Sequence, residues 1–280
     1  MNVLVIGGRG FVGKAVCAEL KKRKHAVFTF DQHQGRKNHF QGSILSLPDL
    51  EKAFEGMDII INLVGLTPVK KQEPGLYEKI HVEGVKNIIE ACKKAKIKRF
   101  VHMSALGADK NSDIEYLRTK GLGEEAVLHS GLNVTVFCPS LIFDTEHELI
   151  QQAVKMAPMR SFPEITAKVQ PIFRGDLAKL FALAVEGKIK EKKLEVGGPQ
   201  VMMLFEMVEK IYAKKGYPCV TVPLSLVKVG LGVASLFGLF GISKDQIKSL
   251  DRDNITKSNI AEKYLPLTSF DDWLSKAKIG

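Results

Sequence analysis

An α/β fold, a doubly wound parallel sheet with a smaller, mostly helical C-terminal lobe, is predicted by three features of the 280-residue sequence. Short apolar, β-branched runs alternate with stretches of helical period as far as about Pro139, the signature of βαβ units. A glycine-rich turn separates the first such run from the first helical stretch. Beyond Pro139 the rhythm weakens, and Pro158, Pro163, Pro171, Pro199, Pro218 and Pro223 punctuate shorter elements. The expected division is a nucleotide-binding domain over 1–145 and a substrate or partner lobe over 146–280, part of which completes the sheet.

Residues 1–6 are apolar throughout, as a strand buried on both faces requires. Residues 11–24 place Val12, Val16 and Leu20 at helical spacing, and 26–30 form a second strand ending at Asp31. Helices are predicted over 47–54, 77–95 and 116–129, and strands over 58–64, 99–103 and 133–137. Right-handed crossovers then fix most of the topology, and ligands of such sheets bind beyond the carboxyl ends of the strands.

Composition narrows the function. The four cysteines are far apart with no Cys-x-x-Cys pair, which gives neither a metal site nor a disulfide framework and suits a reducing compartment. The formal net charge is +10, but the lysines fall in short groups such as 21–24 and 93–94. These read as solvated helix faces without an aromatic platform, so no nucleic-acid partner is expected. Attraction to anionic cofactors or to a negative membrane surface stays open. A strand begins at Asn2, so no leader peptide is expected and the predicted location is cytoplasmic. Residues 226–242 are apolar, with one lysine and four glycines. They are shorter than the ~20 apolar residues that span a bilayer and are expected to form a buried helix or a lid. A peripheral membrane or protein contact through 226–242 is the alternative.

Gly7-Gly8-Arg9-Gly10-Phe11-Val12-Gly13 is a Gly-x-x-Gly-x-x-Gly motif between strand and helix. Gly7 permits the tight turn, Gly10 lets backbone N–H groups approach a pyrophosphate, and Gly13 lets helix and strand pack closely. The helix N-terminus adds partial positive charge there. Asp31 ends the second strand, where a carboxylate accepts the adenosine ribose hydroxyls and repels a 2′-phosphate. This favours NAD(H). His33, Arg36 and Lys37 lie just beyond and keep NADP(H) open. The unit is Rossmann-like.

At these residues the chain resembles the short-chain dehydrogenase/reductase superfamily, in its extended and atypical branches. Asn62-Leu63-Val64-Gly65 resembles the strand end that lies along the cofactor, and His81-Val82-Glu83-Gly84-Val85-Lys86-Asn87 an Asn-Val-x-Gly-Thr-x-Asn helix. Arg99-Phe100-Val101-His102-Met103-Ser104 resembles the strand leading to an active-site hydroxyl, and Tyr116-Leu117-Arg118-Thr119-Lys120 the Tyr-x-x-x-Lys pair. Pro139-Ser140-Leu141-Ile142-Phe143 resembles the segment beside the nicotinamide. Within the superfamily the chain is similar to NAD-dependent epimerase/dehydratase proteins and to the NAD(P)-binding accessory subunit of respiratory complex I. The short approach to Tyr116 and the segment Asp251-Arg252-Asp253-Asn254 carry the second similarity.

The resemblance implies an oxidoreductase or epimerase acting on a carbonyl or alcohol. Tyr116 would exchange the proton, Lys120 would hold the nicotinamide ribose and lower the phenol's pKa, and Ser104 would orient substrate. The cofactor residues it implies are Gly7, Gly10, Phe11, Val12, Gly13, Asp31, Leu63, Val64, Gly65, Lys120, Pro139 and Ile142. Ala105 follows Ser104 where a second hydroxyl is usual, and His81 replaces an asparagine. These departures keep a nucleotide-loaded, non-catalytic assembly module as the alternative. His102 alternates with core residues and reads as structural, and Glu124 and Glu125 read as a solvated face.

Overall fold

The computed structural model describes residues 1–35, 37–67, 72–223 and 252–279; the predicted contact at 226–242, Arg36 and Asp251 lie outside them. One sheet contains β1 (Asn2–Ile6), β2 (Ala26–Asp31), β3 (His39–Gln41), β4 (Ile59–Asn62), β5 (Arg99–Met103), β6 (Val134–Pro139) and β7 (Lys193–Val196). Its order is β7-β6-β5-β4-β1-β2-β3, and every neighbouring pair is parallel. Val3 stands in register with Val27 on one side and Ile59 on the other. The chain leaves β1 toward β2 and leaves β4 toward β5, so the crevice where the winding reverses opens at the carboxyl ends of β1 and β4.

Burial on both faces explains the apolar runs. Val3 and Val5 face a layer made by α1 (Phe11–Lys22) and a later helix, Arg174–Val185. Leu4 and Ile6 face α2 (Leu47–Phe54), α3 (Gly84–Lys94) and α4 (Glu115–Leu128). Ser46 caps α2 by accepting from the Asp49 amide, with Pro48 in the first turn, a start signal legible in the sequence. Ahead of α3 the expected helix is interrupted. A single turn, Leu76–Glu78, runs into a π turn over Lys79–Glu83, a local widening that helical period does not reveal.

The C-terminal residues do two jobs. Arg174–Val185 packs on α1 and β7 completes the sheet beside β6. The remainder forms a lobe with its own core around Phe143, Tyr212, Phe270 and Trp273. Phe143 meets Phe270 and Trp273 edge-on at 5.2 and 5.1 Å. Helices Glu148–Met156, Leu204–Lys214 and Phe270–Lys276 enclose this core. Short ladders join Ser161–Pro163 to Val220–Val222 and Lys168–Val169 to Met202–Met203; two or three residues are too few to show a strand period.

The glycine turn is set by close packing. A Cβ on Gly13 would lie 2.1 Å from the Gly7 carbonyl oxygen and 2.7 Å from the Gly8 backbone, so a side chain there must push α1 off β1. Gly13→Ala is expected to destabilise the fold by about 2 kcal/mol or more, the usual scale for overpacking a tight contact. A lowered urea midpoint checks this; an unchanged midpoint would show that the turn yields freely.

Candidate functional site

A cleft of about 930 Å³ opens at the carboxyl ends of β1 and β4. Of the residues predicted to hold the dinucleotide, Gly7, Gly10, Asp31, Leu63, Val64 and Gly65 line it. Gly10 caps α1 in an extended conformation without a side chain, so the first-turn N–H groups face the cleft unobstructed. Val12 and Gly13 are buried under the turn. Pro139 ends β6, where its carbonyl accepts from Leu106, and Ile142 packs into the core beside Arg174–Val185.

Asp31 is poised to receive a hydroxyl. Its Oδ1 accepts the His33 amide at 2.9 Å, with Arg9 at 3.6 Å. Its Oδ2 is buried without a hydrogen-bond partner among the described residues. A buried carboxylate oxygen left unpaired costs about 1–3 kcal/mol, and a ribose hydroxyl in the cleft would relieve that cost. Next to it a second cleft, about 490 Å³, is lined by Arg9, Gln34, Lys37 and His39. Sequence reading missed Arg9, Lys14 and Thr29 as lining residues. Arg9 occupies a variable position of the glycine motif, and Thr29 reads as an ordinary strand residue.

At the other end of the cleft, Lys120 is buried on α4 and donates to the Met103 carbonyl at 2.7 Å. A Cβ on Gly65 would lie 3.4 Å from its Nζ, so the ammonium stands beside a cleft-lining backbone. Burial lowers its pKa to about 8. Tyr116, one turn earlier, sets its ring edge-on to Tyr77 at 6.1 Å and His81 at 5.8 Å. Burial raises the phenol above its ordinary value, and Tyr77 raises it further. Burial and Tyr77, not Lys120, set the direction of the phenol's shift in this structure. Ser104 is buried at the end of β5, with its hydroxyl unpartnered among the described residues.

His81 does the work of an organiser. Nε2 accepts the Leu66 amide at 2.9 Å, and Nδ1 meets the Thr119 hydroxyl at 2.9 Å. Thr119 in turn donates to the Glu115 carbonyl. Burial and the nearby Lys120 hold the imidazole near pKa 3, so it is neutral, with its proton on Nδ1. The chain of bonds ties the loop after β4 to the helix that carries Tyr116 and Lys120. Gly123 makes the fit possible, since a Cβ there would lie 2.1 Å from the His81 carbonyl oxygen. His102 is buried and bonded to Asn62 at 3.2 Å, and Asn62 also accepts the Val64 amide; both support the strand ends.

Glu124 corrects the sequence reading. It is buried, not solvated. It accepts the Cys138 thiol at 3.2 Å and pairs with Lys193 on β7. Helix period placed it beside Glu125, which does reach the surface and pairs with Lys110; only the sheet edge shows what covers Glu124.

Residues 3–124 match the NAD dependent epimerase/dehydratase family. Over 247 residues the chain is 25% identical to the mitochondrial NADH-ubiquinone oxidoreductase 40 kDa subunit of Neurospora crassa, covering 82% of this chain and 64% of that protein. Over 144 residues it is 31% identical to human sterol-4-alpha-carboxylate 3-dehydrogenase, decarboxylating, covering 44% of this chain and 38% of that enzyme. The chain thus spans under two thirds of either protein's length. The fold is shared with the UDP-glucose 4-epimerase of Thermotoga maritima, at a TM-score of 0.77 and 18% identity, over 98% of this chain and 96% of that one. The resemblance to epimerase/dehydratase proteins and to a complex I subunit, drawn from the motifs, therefore holds. Among the described residues no helix is long and apolar enough to cross a membrane, and no cluster of residues is suited to a metal.

Removing Lys193 leaves the Glu124 carboxylate buried with only a thiol beside it. Lys193→Met is expected to lower stability by about 1–2 kcal/mol, below the range for a wholly buried pair because Lys193 is 41% exposed. Glu124→Gln, which removes the charge itself, is expected to cost less. Urea unfolding at pH 7 reads both; a larger loss for Glu124→Gln than for Lys193→Met would contradict the assignment.

Proposed function

We propose that the chain is an NAD(H)-dependent oxidoreductase or epimerase-type enzyme acting on a carbonyl or alcohol. The observation that carries this is linear. A free acceptor on Asp31, an uncapped helix N-terminus at Gly10 and an ammonium beside Gly65 follow one another along the cleft. That sequence matches ribose, pyrophosphate and nicotinamide ribose. The family match, to an NAD dependent group, supports it.

A nicotinamide cofactor held by these residues would supply the hydride chemistry. Lys120 holds the nicotinamide ribose hydroxyls. Tyr116 gives a proton to the carbonyl oxygen in reduction and takes it back in oxidation. The raised phenol is an acid that keeps its proton until substrate oxygen and a charged Lys120 stabilise its loss. Ser104, with no hydrogen-bond partner for its hydroxyl among the described residues, donates to the same oxygen. Asp31 selects NAD(H) by accepting hydroxyls and repelling a phosphate, against the pull of Arg9, Lys37 and His39 across the adjoining cleft.

A second reading, a nucleotide-loaded assembly module, is favoured by the raised phenol and by the similarity to a respiratory subunit. In it the cofactor is bound and not turned over. Peripheral attachment through 226–242 belongs to this reading.

Fluorescence titration with NADH and NADPH separates the cofactors. NADH is expected to bind more tightly, and Asp31→Ser to weaken NADH by about tenfold while narrowing the preference, the loss of one charge-assisted hydrogen bond. Equal affinity in the parent protein would remove Asp31 as the selector.

Lys120 gives a pH signature. With a pKa of about 8, it is charged below that value and neutral above. NADH affinity is expected to stay level from pH 6 to 7 and fall through pH 8 to 9, and to be weak and level in Lys120→Met. With a carbonyl substrate in hand, Tyr116→Phe is expected to cut turnover by about 100-fold or more with little change in NADH affinity. Unchanged turnover would leave the module reading.

A further inference from the structure

The lysine groups that look separate along the chain meet in space. Because every strand of the seven-stranded sheet runs parallel, the crossing helices end, and the strands begin, at the pole opposite the crevice. Main-chain bonds stitch that pole together, from Ala26 N to Met1 O, Asp58 N to Asn2 O, Lys98 N to Asp58 O and Val136 N to Lys192 O, all within 3.0 Å. Residues 21–24, 93–98 and 188–193 link helix ends to strands there. Lys21 lines the cleft; without it these links carry eleven lysines and arginines, against Glu191 and, in the α2–β4 link at the same pole, Glu55 and Asp58.

Local pairing removes only part of this charge. Arg23 meets Glu19 and Glu186, Lys94 meets Glu51 and Glu90, and Lys98 meets Asp58. Lys22, Lys24, Lys96, Lys190 and Lys192 are exposed and meet no carboxylate within ion-pair distance among the described residues. One cation in the last turn answers a helix dipole; α1 ends in Lys21 and Lys22, and Arg23 and Lys24 follow at once.

We propose that this basic pole docks the protein on an anionic phospholipid surface, with the dinucleotide cleft facing away. Seven strands at about 4.8 Å make a face roughly 30 Å wide, several Debye lengths across, which suits a layer of many headgroups better than one ligand. The unpaired cations are all lysines, compact hydrated charges that gather near anionic lipid. A single-stranded nucleic acid would call for stacking aromatics, and none of the exposed large apolar side chains among the described residues is aromatic.

The test is vesicle sedimentation of the full chain, independent of any catalytic reading. Vesicles of phosphatidylcholine alone are compared with vesicles containing about 30% phosphatidylserine, at low and high salt. More than tenfold stronger partition onto the anionic vesicles is expected, lost at about 0.5 M salt where screening is strong. The variant Lys24→Glu, Lys96→Glu, Lys190→Glu, Lys192→Glu is expected to lose that binding and keep its NADH affinity. Should it fail to fold, the same four positions as Gln are expected to reduce partition severalfold. Equal binding to both vesicles would assign contact to apolar residues such as 226–242 and overturn the proposal. So would full binding by the variant, or tighter retention of a 30-nucleotide single strand than of anionic vesicles.

Discussion

The site depends on the parallel pairing of β1 with β4, from which the chain departs in opposite directions. No side chain could make the crevice at their ends; it exists because two crossovers leave it uncovered. Burial on both faces locks β1 in the centre, with Val3, Leu4, Val5 and Ile6 fully buried. A one-residue slip would exchange the side chains offered to α1 with those offered to α2 and α3. The glycine turn has room for backbone only because this register is fixed.

A second constraint ties the loop after β4 to the helix at the Lys120 end of the cleft. His81 lies in a π turn and bonds both to the loop after β4 and to the helix bearing Tyr116 and Lys120. Its neutrality follows from burial beside an ammonium, and the same burial leaves Lys120 half-titrated near pH 8 and Tyr116 firmly protonated. Burial is the largest cause for all three, and Lys120 further lowers His81.

Buried polar groups are met at some positions and unmet at others. Around the cleft, Asp31 and Ser104 hold buried oxygens without hydrogen-bond partners among the described residues, a cost that a ligand can offset. Behind α4, Glu124 is met by Cys138 and Lys193, and near the C-terminus buried Asp176 accepts the Thr268 amide and pairs with Lys179. His25 Nε2, before β2 at the opposite pole, is the third buried side-chain polar atom without a hydrogen-bond partner among the described residues, so unmet groups are not confined to the cleft.

The sequence by itself determined the local matters. Apolar runs too short for helices had to be strands, the glycine spacing demanded a close strand–helix approach, and Asp31 stood at the end of the second strand; Tyr116 and Lys120 were singled out by the resemblance to the short-chain dehydrogenase/reductase superfamily. Those features depend on neighbours within a few residues, so the period of the chain reveals them. Only the tertiary structure decided what covers Glu124, why His81 is neutral, that a π turn interrupts the expected helix, and that scattered lysines form one pole. Each of these depends on contacts between residues far apart in the chain, or on the shared direction of seven strands, and no local period encodes either.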